Sequence, residues 1–184
     1  MTPARRHLPI LGLALLLALF AVRLLDTARV HSLTSDEPHY IPTGLYLWET
    51  GDYDYVEALR FHPPLTIHLA SLPLLFAFTE QERAGWTLGP DLGTRLLQRG
   101  PPLTERLRFA SRLPFVILAI WGAFLCFAWA REVAGPWAGL LAAFLFTFSP
   151  LVLAEGGLVH SAGARWVRAL RARGALWRGW ERPR

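Results

Sequence analysis

Three apolar runs dominate the pattern of this 184-residue chain. Residues 8–22 carry no charge, and Leu24 and Leu25 extend that run past Arg23. Residues 113–130 and 133–154 follow, also without a charge. Each approaches the roughly 20 residues that an α-helix needs to cross the hydrocarbon core. The pattern predicts an all-α integral membrane protein with about three transmembrane helices, over 8–25, 113–130 and 136–154. A fourth uncharged stretch, 61–79, contains His62, His68 and three prolines. It fits either a further span or a helix that stays at the membrane surface.

The first two spans are separated by a long loop, residues 26–112. Within it Glu37-Pro38 reads as a helix start, since proline suits a first turn and acids favour the positive helix end. Ile41, Leu45 and Trp48 recur at helical spacing, and Gly51 can close the element. Tyr40, Tyr46 and Trp48 suit a membrane interface. A juxtamembrane helix is therefore expected over 37–50, and a second helix over 63–79.

Composition agrees with a membrane protein: 53% of residues are hydrophobic, above the roughly 45–50% of soluble domains. The net charge of +5 first suggests nucleic acid, but its distribution removes that reading. Residues 1–164 hold 12 Arg and 13 Asp or Glu, whereas residues 165–184 hold seven Arg and one Glu. The basic excess is confined to an Arg- and Trp-rich tail, 161–184, and no nucleic-acid partner is expected. Arg5 and Arg6 precede the first span, and no small-x-small cleavage site follows it. An uncleaved anchor with a cytoplasmic N-terminus results, in a multi-pass protein of the inner or plasma membrane, with Asp36 outside the cytoplasm. Cys126 is alone, so no intrachain disulfide forms.

The candidate chemistry sits just beyond the first span, in Ser35-Asp36-Glu37-Pro38-His39-Tyr40. Acids beside a hydrophobic span are costly to hold near lipid, which makes a functional role the default. A plain helix cap at Asp36 is the competing reading. His39 and His62 stand near these acids in sequence, but without the tight spacing of a metal site. No cofactor is expected, with a divalent metal at these side chains as the lesser alternative.

Read in order, the motifs resemble those of GT-C membrane glycosyltransferases. A basic N-terminus and span lead to Ser-Asp-Glu-Pro; His62-Pro63-Pro64-Leu65 follows, then Arg112-Leu113-Pro114 opens a span that ends at Arg131-Glu132, and Ser149-Pro150 closes the last. The likeness is to the phospholipid-carrier-dependent branch, related to the protein O-mannosyltransferases and to enzymes that glycosylate lipid A. It covers about residues 8–160, the N-terminal part of such an enzyme. It implies inverting transfer of a sugar from a polyprenyl-phosphate donor to a hydroxyl of an acceptor lipid, glycan or protein. Asp36 matches the catalytic base and Glu37 a partner that tunes it. His62, Pro63 and Pro64 match the carrier-binding motif, with His39 and Arg112 as further contacts to carrier or lipid phosphate. The resemblance also makes residues 61–79 juxtamembrane, because an added crossing would put Ser149-Pro150 on the wrong side.

The likeness breaks late. Relatives continue with Leu-Ala-x-Gly-x-Leu-Val-Thr-Thr-Asp, whereas this chain has Leu153-Ala154-Glu155-Gly156-Gly157-Leu158-Val159 and then His160-Ser161-Ala162. The second acid is missing, and the basic tail follows no family pattern, as a reading-frame shift would produce. The expectation is a truncated glycosyltransferase, inactive alone. The alternative is a small membrane scaffold or subunit whose tail binds anionic lipid.

Overall fold

A computed structural model describes residues 3–34, 36–54, 64–83 and 101–160, with isolated positions between 169 and 179. The described elements are all helical: α1 (Pro3–Val30), α2 (Glu37–Thr50), α3 (Pro64–Ala77), α4 (Glu80–Arg83), α5 (Pro101–Ala134), α6 (Pro136–Thr147) and α7 (Pro150–Glu155). Two of them, over His7–Val30 and Pro102–Ala134, are long and apolar enough to cross a membrane. Only 22% of the apolar stretch of the first and 33% of that of the second is buried, whereas a core helix of a soluble domain is covered on most sides. Leu11, Leu15 and Val22 on α1 and Ile117, Trp121 and Phe124 on α5 face outward.

The third apolar run forms two helices rather than one. Phe148 ends α6 and Ser149-Pro150 restarts the chain as α7, because proline at the first turn lacks the N–H that would continue α6. Together they run alongside α1 and α5. Leu13, Phe127 and Ala143 pack at one end of this bundle. Phe20, Leu24, Ala28, Val116, Ala119, Ala123 and Val152 pack through its middle and other end. The α5–α6 turn uses Gly135 at φ 89°, a left-handed value that a side chain would oppose, and Pro136 then starts α6.

A second layer covers the N-terminal end of α5. There Tyr40, Ile41, Leu45 and Leu47 of α2 and Ile67, Ala70 and Leu74 of α3 surround Leu107, Ala110 and Phe115. Helix α5 is 34 residues long, about 51 Å at 1.5 Å per residue. Its first half carries this cap, and the remainder packs with α1, α6 and α7. Tyr40, expected at the lipid interface, is instead 1% exposed inside the cap. Pro73 does not interrupt α3, since Ile67 and Ala70 before it and Leu74 after it are packed in one cluster that holds both halves in line. Gly44 lets α2 and α3 touch: a Cβ there would collide with the Ile67 carbonyl oxygen and the Ser71 hydroxyl.

Candidate active site at the Asp36–Glu37 turn

Asp36 and Glu37 open α2 as adjacent residues, yet their environments differ. Glu37 is 0% exposed, and so is Arg112 on α5. The two form a bidentate pair, Arg112 Nε donating to Glu37 Oε1 at 2.7 Å and Nη2 to Oε2 at 2.7 Å. The remaining Arg112 donors reach backbone carbonyls where α1 ends. Nη1 donates to Ala28 at 2.9 Å and His31 at 2.8 Å, and Nη2 to Ser32 at 2.8 Å. Glu37 also accepts from the Thr34 amide at 2.9 Å and the Val159 amide at 3.2 Å.

Every N–H of the guanidinium therefore has an acceptor, which a planar fork of five donors achieves and an ammonium cannot. The charges also suit the helix ends they meet. A cation lies on the carbonyls at the C-terminus of α1, and an anion lies at the N-terminus of α2. This clamp ties together the end of α1, the start of α2, α5 and the segment after α7.

Arg112, read from sequence as a contact for carrier or lipid phosphate, is thus turned inward with no donor left over. Glu37 is equally committed: its oxygens are shared among the guanidinium and two amides. Neither role follows from sequence spacing, since the partners lie 75 residues apart. The signal present was an acid and an arginine each lying beside an apolar span, which at membrane depth pair with one another.

Asp36 stands at the edge of this clamp, half-buried. Its backbone carbonyl accepts the His39 and Tyr40 amides at 3.0 and 2.9 Å and so starts α2. Its carboxylate makes no capping bond to that helix. The cap reading for its side chain therefore has no bond to rest on. His39 is exposed on the first turn of α2. Pro64 begins α3 and is exposed, while His62 and Pro63 lie outside the described residues. Among the described residues no three His, Cys, Asp or Glu side chains gather as a metal site.

The segment after α7 lies against the same end of the bundle. A Cβ on Gly157 would meet the Leu24 carbonyl oxygen at 2.9 Å, and one on Gly156 would meet Ala119 and Leu24 at 3.3 Å. Val159 is buried in the cap cluster, and His160 follows it, half-buried. The two parts of the chain that carry acids in the resembled family, the first loop and the segment after Ser-Pro, thus meet at Glu37. A further polar group lies at the far end of α2, where Trp48 Nε1 donates to the His68 carbonyl at 3.2 Å and the Tyr53 hydroxyl meets His68 Nε2 at 2.9 Å. No family model, curated protein or solved structure matches this chain.

Proposed function

We propose that this chain forms the first-loop side of a membrane glycosyltransferase site, in which Asp36 is the general base and a polyprenyl-phosphate sugar is the donor. The observation that carries the reading is the division of labour within the acidic pair. Glu37 is locked in the buried clamp, and Asp36 is held half-exposed beside it where α1, α2 and residues 156–160 converge. In the reaction the acceptor hydroxyl gives its proton to the Asp36 carboxylate as its oxygen bonds the anomeric carbon. The bond from that carbon to phosphate breaks, and polyprenyl phosphate leaves with the electron pair. A positioned base of this kind is typically worth about 10²–10⁴-fold in rate.

Three crossings fit this function, with α6 and α7 acting together as the third. Contacts from Gly12–Leu140 to Gly157–Leu24 set α6–α7 along about 18 Å of α1. The confinement of the cap to the first half of α5 supports a juxtamembrane α2–α3 pair, and Arg5 and Arg6 before α1 favour the side outside the cytoplasm. His160, Ser161 and Ala162 stand where the resembled enzymes place a second acid, so the 184-residue chain does not turn over by itself.

The test is the enzyme rebuilt around this segment. Asp36→Asn lowers its turnover by about 10²-fold or more and leaves carrier binding in place. Turnover near that of the unmodified enzyme would refute the assignment.

A further inference from the structure

With Arg112 buried, and Arg83 and Arg106 beside Glu49 and Glu82, two further cations among the described residues at this end of the bundle, Arg29 and Arg108, occupy one crossing. Arg108 lies one turn before Arg112 on α5, and its Nη2 donates to the Arg29 carbonyl at 2.7 Å. The Arg29 guanidinium rests over the Phe109 ring, 5.0 Å from its centre. Arg29 is exposed and Arg108 half-buried. Among the described residues neither guanidinium forms an ion pair. Arg108 Nε is buried without a hydrogen-bond partner.

Depth along the helices says what such a pair meets. Arg29 lies four residues beyond Leu25 and Arg108 five before Leu113, each about 6–8 Å outside the apolar spans. That is the headgroup layer. Beyond Asp26 and Arg23 the outward face of α1 carries Val22, Leu15, Leu11 and Leu8, so an acyl or prenyl chain has a surface to follow. Two fixed guanidiniums above an apolar stripe match a phosphate ester carried on a lipid, because arginine forks pair with phosphate oxygens in two bonds at once. Asp26 and Glu105 lie exposed, each three residues before one of these arginines, and neither bridges to it.

We infer that Arg29 and Arg108 form a binding site for the phosphate headgroup of a membrane lipid at the outer end of α1 and α5. The inference rests on α1 and α5 crossing the bilayer and not on sugar transfer. Asp36→Asn should leave it untouched whichever way the transfer assay falls.

The test is native mass spectrometry of the whole chain, released from micelles that contain equal phosphatidylcholine and phosphatidylglycerol, with polyprenyl monophosphate in a second arm. Both anionic lipids are retained in preference to phosphatidylcholine. Arg29→Gln lowers that preference on the order of fivefold, the worth of one arginine near an anionic surface, and Arg29→Lys, which keeps the charge without the fork, keeps only part of it. Arg29 donates no hydrogen bond from its side chain among the described residues, so Arg29→Gln tests the site without disturbing the fold, as Arg108→Gln would not. The seven Arg of the tail are present in every variant, so the difference reads this site alone. Arg131→Gln, at the opposite end of α5, changes nothing. Asp26→Asn strengthens retention. An unchanged preference in Arg29→Gln, or an equal loss in Arg131→Gln, would overturn the inference. So would displacement of the lipid by millimolar inorganic phosphate, which would make the site one for free phosphate.

Discussion

Arg112→Met is the substitution that most directly tests the clamp. Methionine keeps much of the side-chain length and apolar volume, so the change removes charge and donors rather than packing. It leaves Glu37 0% exposed with its charge uncompensated, since only the Thr34 and Val159 amides still reach it. It also strips the carbonyls of Ala28, His31 and Ser32 of the donor that satisfies them. Breaking one side of a buried pair costs about 3–5 kcal/mol. For a chain of this length that corresponds to a fall in Tm on the order of 10 °C. Thermal unfolding of the detergent-solubilised chain, followed by circular dichroism, measures it. Arg112→Lys recovers only part of the loss, because three donors cannot replace a fork of five. Glu37→Gln combined with Arg112→Met is less destabilised than the sum of the two single changes, with a coupling of about 1–3 kcal/mol as expected for residues in one network. A Tm for Arg112→Met within a degree of the parent would refute the clamp and return Arg112 to the lipid surface.

Three further outcomes follow from other parts of the molecule. Gly44→Leu separates α2 from α3, where a side chain has no room beside the Ile67 carbonyl and Ser71, and costs about 1–3 kcal/mol in the same unfolding assay. Thiol labelling of Tyr53→Cys in intact cells succeeds from outside while Gly135→Cys stays protected; labelling of Gly135 alone would reverse the orientation. Bonds from the Thr79 amide and hydroxyl, with Arg106 nearby, hold the Glu82 carboxyl below its ordinary pKa. Because the folded value is the lower one, this contribution to α4 is present above the unfolded carboxyl pKa and is lost as pH falls through the folded value. Thr79→Ala moves the Glu82 titration, followed by NMR, only part of the way back toward the ordinary value, because the backbone amide and Arg106 remain.

Helix identity was legible wherever a local rule sufficed. The acid and proline at the start of α2, the left-handed Gly51 that ends it, and the charge-free runs within α1 and α5 are all properties of short segments. What the sequence could not reveal depends on distant chain. Arg112 looked like a boundary cation because its acceptors come from the end of α1 and from Glu37, 75 residues away. Tyr40 looked interfacial because an aromatic ring with a hydroxyl suits water and lipid equally, until α3 and α5 enclose it. Pro73 reads locally as a breaker, whereas packing on both sides of it keeps α3 continuous. Asp36 was found as a candidate, but its separation from Glu37 in role needed the clamp to be seen.

The clamp also imposes an order of events on biogenesis. Glu37 follows the first span directly, whereas Arg112 is synthesised 75 residues later and Val159 122 residues later. At about 5–20 residues per second, roughly 4–15 s separate synthesis of the carboxylate from that of its cation. Throughout that interval the Glu37 carboxylate lacks its cation, and α2 has α3 but not α5 to cover its buried face. Dehydration of the carboxylate is therefore a late step, triggered when α5 inserts, and completed only when the backbone after α7 supplies the final amide. A nascent chain arrested between residues 112 and 159 would hold a paired but incompletely sealed acid, which makes sealing of the site a report that all of its helices have arrived.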